Sequence, residues 1–218
     1  MSRAVRTLLV ACICWLVPGT ATAAAMPAPL QQGIRHLAAL QGFSCDFEQT
    51  LTFSDGSARH YTGLLDVRRP ARFRWQYFKP YAQLYVSDGH GIWHYEPDLM
   101  QAEHLKSLDA VDPMVMRLLD GRVHAADIHL LANESQGLHP DVHRYKVRVG
   151  EGPQLWLGLR ADGTLVYLES VDALGNRNRI TLGSLSAIAP AAEVFSFSPP
   201  PGVDVVTDPQ PSSNGVAR

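Results

Sequence analysis

The stretch from Tyr61 to Gln101 constrains the fold more than any other part of the sequence. Bulky and polar residues alternate along it, and it holds five of the chain's seven tyrosines together with Trp75 and Trp93. Alternation places Phe73, Trp75 and Tyr77 on one face of a strand and Arg74 and Gln76 on the other. Asp88-Gly89 is a tight-turn dipeptide, so the segments flanking it fold back on each other as antiparallel neighbours. The pattern predicts strands that build an aromatic wall, with the pair Arg68-Arg69 set against it.

The first residues read as a targeting segment. Arg3 and Arg6 precede an apolar run from Leu8 to Val17, Pro18-Gly19 breaks it, and Ala21-Thr22-Ala23 fits a signal-peptidase site. A run of about ten residues is too short for a permanent span. The expectation is an exported chain: a leader over 1–23, cut after Ala23 or Ala25, one domain over 24–207 and a disordered tail over 208–218. Leu9-Val10-Ala11-Cys12 also resembles a lipobox, which would leave a lipidated Cys12. The apolar stretch before that cysteine is short for such a signal, and apolar residues continue past it.

Cleavage removes Cys12 and Cys14 and leaves Cys45 as the one cysteine of three. No internal disulfide is then available. Cys45 alternates with Phe43 and Phe47, so it reads as a small buried hydrophobe. The formal net charge of −2 falls to −4 once Arg3 and Arg6 leave with the leader. The charges are mixed, with no basic stripe for nucleic acid and no polybasic membrane patch.

Helical spacing of Leu30, Ile34, Leu37, Ala38 and Leu40 predicts one amphipathic helix ending near Gly42, either packed on a sheet or serving as a movable cover. A second helical segment is expected over Ala110 to Leu119, with Pro113 in its first turn and Asp120-Gly121 as its stop. Elsewhere strands dominate, about eleven in all, the last running from Asn178 to Ala187. Val203 to Val206 is a final extended piece. A meander of this length has to curl or close. With so few helices to fill it, the expected fold is mainly β: a curled, incomplete antiparallel barrel, or cup, with a helical lid over an apolar cavity.

Nine histidines invite a metal hypothesis. None is joined to a cysteine or carboxylate at a recognised ligand spacing, and scattered surface histidines are the simpler reading. There is no Gly-x-Ser-x-Gly elbow and no His-Glu-x-x-His motif. The residues point away from an enzyme and imply no catalytic group, cofactor or metal. They leave open whether the aromatic wall is plain core and whether the arginine pair is simply solvated.

An ordered string of motifs resembles the periplasmic outer-membrane lipoprotein carriers, the LolA family. Phe47-Glu48-Gln49-Thr50 is similar to the family's early strand, and Gly63-Leu64-Leu65 leads into Arg69-Pro70-Ala71-Arg72-Phe73-Arg74-Trp75. Val86-Ser87-Asp88-Gly89, then Ile92-Trp93-His94-Tyr95-Glu96-Pro97 and Gln101, resemble the next block. Phe195-Ser196-Phe197-Ser198-Pro199-Pro200-Pro201-Gly202-Val203 resembles the close. The resemblance implies a periplasmic monomer that takes triacylated lipoproteins from an inner-membrane ABC release complex and passes them to an outer-membrane receptor. It implies Arg69 as the residue that latches the lid, Phe73 and Trp75 as cavity positions and Leu37 as a lid position facing them; the aromatic wall adds Tyr85 and Trp93 as expected contacts for acyl chains. A paralogue serving another acylated amphiphile is the alternative. The turn Phe78-Lys79-Pro80-Tyr81-Ala82-Gln83 and the bulky Tyr85 depart from the family's pattern.

Overall fold

The computed structural model describes residues 26–107, 116, 117, 119–134 and 139–207. The expected leader, the tail and most of the second helical segment lie outside them. Of that helix, Met116, Arg117 and Leu119 are described, and they are helical.

Helix α1 (Ala28–Ala39) opens on Pro27 with a second proline in its first turn, and its last carbonyls are followed by an extended Leu40. Among the described residues twelve strands follow: β1 (Gly42–Thr52), β2 (Ala58–Arg68), β3 (Arg72–Lys79), β4 (Gln83–Asp88), β5 (Ile92–Glu96), β6 (Gln101–Leu105), β7 (Ile128–Glu134), β8 (Val142–Val149), β9 (Gln154–Arg160), β10 (Leu165–Val171), β11 (Arg177–Leu182) and β12 (Asp204–Thr207). They form one sheet in the order β12-β6-β5-β4-β3-β2-β1-β11-β10-β9-β8-β7. Its outermost strands, β12 and β7, do not pair with each other, so the curled sheet stays open.

Two features differ from the expected meander. The final extended piece is a strand, and β12 runs parallel to β6, with Val205 opposite Ala102. A parallel return needs a long connection, and the segment from Gly183 to Val203 supplies it. The expected strand from Asn178 to Ala187 breaks at Leu182. Phe47 pairs with Leu182, whereas Ser44 pairs with Ser186, so one extra residue is inserted after Gly183.

Register places the bulky residues of β1 to β5 on a common face. Cys45 pairs with Leu65, Leu65 with Trp75, Trp75 with Tyr85 and Tyr85 with His94. Phe47 pairs with Gly63, where any side chain would strike the Phe47 ring. The space left by glycine lets Phe47 meet Trp75 and Tyr77 edge-on, at centroid distances of 5.6 and 5.1 Å. This inner face carries two apolar clusters, and α1 spans both. Leu30 and Ile34 pack with Tyr145, Val147, Leu155 and Leu159. Leu37 and Leu40 pack with Phe43, Phe47, Phe73 and Leu119.

Cys45 is 2 % exposed in the second cluster. Burial, then Asp46 and Asp66, push its thiol up to about 11. At pH 8 an exposed cysteine is about a quarter thiolate, against about a thousandth for a thiol titrating near 11. The folded protein should therefore resist alkylation at pH 8, and urea should expose the thiol to stoichiometric labelling. Labelling at the free-cysteine rate without denaturant would contradict this burial.

Candidate functional site

The two arginines of the expected pair part company. Arg68 donates from Nη1 to the Pro190 carbonyl at 2.8 Å and holds the returning C-terminal segment. Arg69 reaches two helix ends. Its Nε donates to the Leu119 carbonyl at 2.9 Å, and its Nη1 donates to the carbonyls of Ala38, at 3.2 Å, and Leu40. Both helix ends present unpaired carbonyls and the negative end of a helix dipole, so one cation satisfies them together.

The surroundings of Arg69 are shaped for it. Gly121 ends the second helical segment with φ of +64°, and a Cβ there would overlap the guanidinium. Asp120 accepts from the Ala71 amide at 2.7 Å, which ties the same helix end to the turn between β2 and β3. Burial lowers the Arg69 pKa, and the Asp120 carboxylate partly opposes that. Arg69 Nη2 is buried without a partner among the described residues.

Beside this junction lies a cavity of about 750 Å³. Phe73, Trp75, Tyr85, Ile92 and Leu119 line one part of it, and Gln49, Tyr61, Tyr77, Arg59 and Gln83 another. Tyr77 donates to Gln49 Oε1 at 3.0 Å, and Gln49 Nε2 donates to Asn178 Oδ1 at 2.9 Å. Burial raises the Tyr77 phenol well above its usual range, so it stays a neutral donor.

Three of the five expected contact residues, Phe73, Trp75 and Tyr85, therefore stand together in the cavity wall. Leu37 packs on the same cluster from α1, outside the lining itself. Trp93 requires correction. It pairs with Val86 and His104, one residue out of phase with the inner-face row through Tyr85 and His94. It stands on the opposite face, stacked on His104 at 4.2 Å and covered by Phe197 at 5.6 Å. Sequence reasoning placed Tyr77 on the wall and Gln49 in the early strand, but named neither of them, nor Tyr61, as a site residue. The readable signal was Gln49 itself, a polar residue in phase with Phe47 and Leu51.

Comparison with known proteins bears on this arrangement. Residues 38–198 match the family described as outer membrane lipoprotein carrier protein LolA. An outer-membrane lipoprotein carrier protein of Methylibium petroleiphilum is 37 % identical over 163 residues, which cover 73 % of this chain and 80 % of that one. A protein of the same description from Chromobacterium violaceum is 33 % identical over 205 residues, covering 88 % and 96 %. Among solved structures, an uncharacterized conserved protein of Thermus thermophilus shares the fold, with a TM-score of 0.51 at 14 % identity over 81 % of this chain and 98 % of that one. Matched over most of its length by a family whose early and closing motifs it carries, the chain belongs to the LolA outer-membrane lipoprotein carriers.

Proposed function

We propose that this protein is a periplasmic carrier that holds the acyl chains of lipoproteins. It receives them from an inner-membrane ABC release complex and yields them to an outer-membrane receptor. The observation that carries this reading is a cavity with an apolar wall beside two helix ends that one half-buried arginine ties together. Each buried methylene contributes roughly 0.8 kcal/mol, so a whole acyl chain contributes on the order of 10 kcal/mol. A carrier that captured all of this would not release its cargo. A cover that must be unlatched for loading sets part of that energy against binding.

The size of the cavity agrees with a moving cover. At about 30 Å³ per methylene, near the volume of a water molecule, 750 Å³ holds roughly 25 methylenes. That falls short of the three chains of a triacylated lipoprotein, so α1 and the second helical segment have to give way. The Leu37 side chain follows α1 as it moves and becomes part of the enlarged wall.

The test is competition. A hydrophobic dye bound in the cavity is expected to be displaced by a triacylated lipopeptide at far lower concentration than by free fatty acid. Equal displacement by simple lipids would favour a carrier of another acylated amphiphile, and no displacement by either would overturn lipid carriage.

A further inference from the structure

Strand pairing gathers on one face basic residues that the sequence scatters over 144–179. Val147, Leu155 and Leu168 pack toward α1. Alternation turns their neighbours to the outer face of the sheet. Register there lines up Lys146, Trp156, Glu169 and Arg179 in one row across β8 to β11. Arg144 and Arg148 of β8 and Arg177 of β11 flank that row on the same face. Five cations stand there against two carboxylates, Glu134 and Glu169, in a chain whose formal net charge is −2.

Glu169 takes up Arg144, Arg177 and Arg179. Among the described residues, Lys146 and Arg148 have no carboxylate partner. Both are half-buried. Two residues apart on one strand, they are spaced about 7 Å, the repeat of alternate side chains in any extended chain. Their surroundings favour a protein partner over a loose polyanion. Arg144 and Lys146 stand over the Trp156 ring at 5.4 and 5.0 Å. The Tyr167 ring fills the space over Gly158, where a Cβ would overlap it, and carries Arg179 at 4.8 Å. Arginine and tryptophan are the residue types that anchor protein interfaces. Side chains already held on Glu169 and on aromatic rings lose little freedom when a partner docks.

We infer that the outer face of β8 to β11 is a docking surface for an acidic, extended segment of a partner protein. Alternate carboxylates of that segment pair with Lys146 and Arg148, and the segment lies against Trp156. The face is on the side of the sheet away from α1, so a docked partner leaves the helix free to move. The inference does not depend on what the cavity holds.

A fluorescent peptide with glutamate at alternate positions tests this by anisotropy with the intact protein. Binding is expected to weaken as salt rises and to vanish for the same peptide with glutamine in place of glutamate. Lys146→Glu with Arg148→Glu is expected to weaken it about tenfold or more, because one exposed ion pair is worth up to about fivefold. Lys146→Gln with Arg148→Gln, which brings no carboxylate near Glu134, is expected to lose at least about fivefold. Both variants should bind a hydrophobic dye in the cavity as the parent does, since neither residue lines it. No binding of the glutamate peptide by the parent protein, or unaltered affinity in the glutamine variant, would overturn the docking surface. Single-stranded DNA bound as tightly as the peptide would overturn the assignment to a protein segment and leave a general anion-binding face.

Discussion

Replacing Arg69 with leucine is expected to leave a folded protein that loads acyl ligand more tightly and gives it up more slowly. Three donor–acceptor pairs join Arg69 to the carbonyls of Ala38, Leu40 and Leu119. Charge-assisted bonds of this kind are worth about 1.5–3 kcal/mol each at best. The cost of burying the guanidinium and the unpaired Nη2 offset part of that sum. A net preference for the closed state of about 3 kcal/mol is left, and losing it would tighten ligand binding by about a hundredfold. The measurement is the release rate of a fluorescent acyl ligand to an excess of acceptor vesicles, with circular dichroism to verify the fold. A wild-type release rate in the Arg69→Leu protein would sink the latch. Gly121→Ala serves as a companion that keeps the arginine. Its Cβ would overlap the guanidinium, and its φ of +64° disfavours alanine, so the same shift is expected at smaller size.

The sequence announced the wall more clearly than what the wall surrounds. Phe73, Trp75 and Tyr77 alternate with Arg74 and Gln76, and a strand has only one way to bury such a pattern. The turn at Asp88-Gly89 was equally legible, because φ of +100° at Gly89 asks for glycine, and the Asp88 carboxylate accepts from the His90 amide at 2.8 Å. Trp93 misled because alternation separates two faces without saying which is covered. Phe197, over a hundred residues away in sequence, covers the outer face and makes an aromatic position there as apolar as one inside. The parallel placement of β12 was unreadable for the same reason, since it depends on where a long connection lands. Gln49 was visible as an anomaly, a polar side chain among Phe47, Leu51 and Cys45. Its partners Tyr77 and Asn178 come from strands that only the folded register brings beside it.

A second variant, Glu169→Ala, is expected to produce the largest loss of stability away from the cavity. Glu169 is on the outer face of β10 and fully buried, and it gathers arginines from two other strands. Arg144 of β8 donates at 2.9 Å, Arg177 of β11 at 2.6 Å, and Arg179 of β11 from Nε at 2.6 Å and again from Nη2. Arg144 Nε also lies 3.2 Å from Glu134, and Arg179 sits over the Tyr167 ring at 4.8 Å. Removing the carboxylate leaves mutually repelling guanidiniums around a void, and breaking a buried pair in this way costs about 3–5 kcal/mol. Arg177 is nearly half exposed and can turn to water, which favours the lower figure. Glu169→Gln keeps the volume, but its amide group opposes donors with donors, so it should recover little. The midpoint of urea unfolding reads the effect, and a loss below about 0.5 kcal/mol would place it within ordinary surface substitutions and contradict a load on this cluster. β9, which pairs with β10, and β8, which pairs with β9, present Val147, Leu155 and Leu159 on their inner face to Leu30 and Ile34 of α1. The ion cluster therefore stiffens the wall that anchors the first half of α1, while Arg69 holds only its end. Because Glu169 and Arg69 share no partner, their effects should add. Glu169→Ala should lower stability with little change in ligand release, and Arg69→Leu should do the reverse.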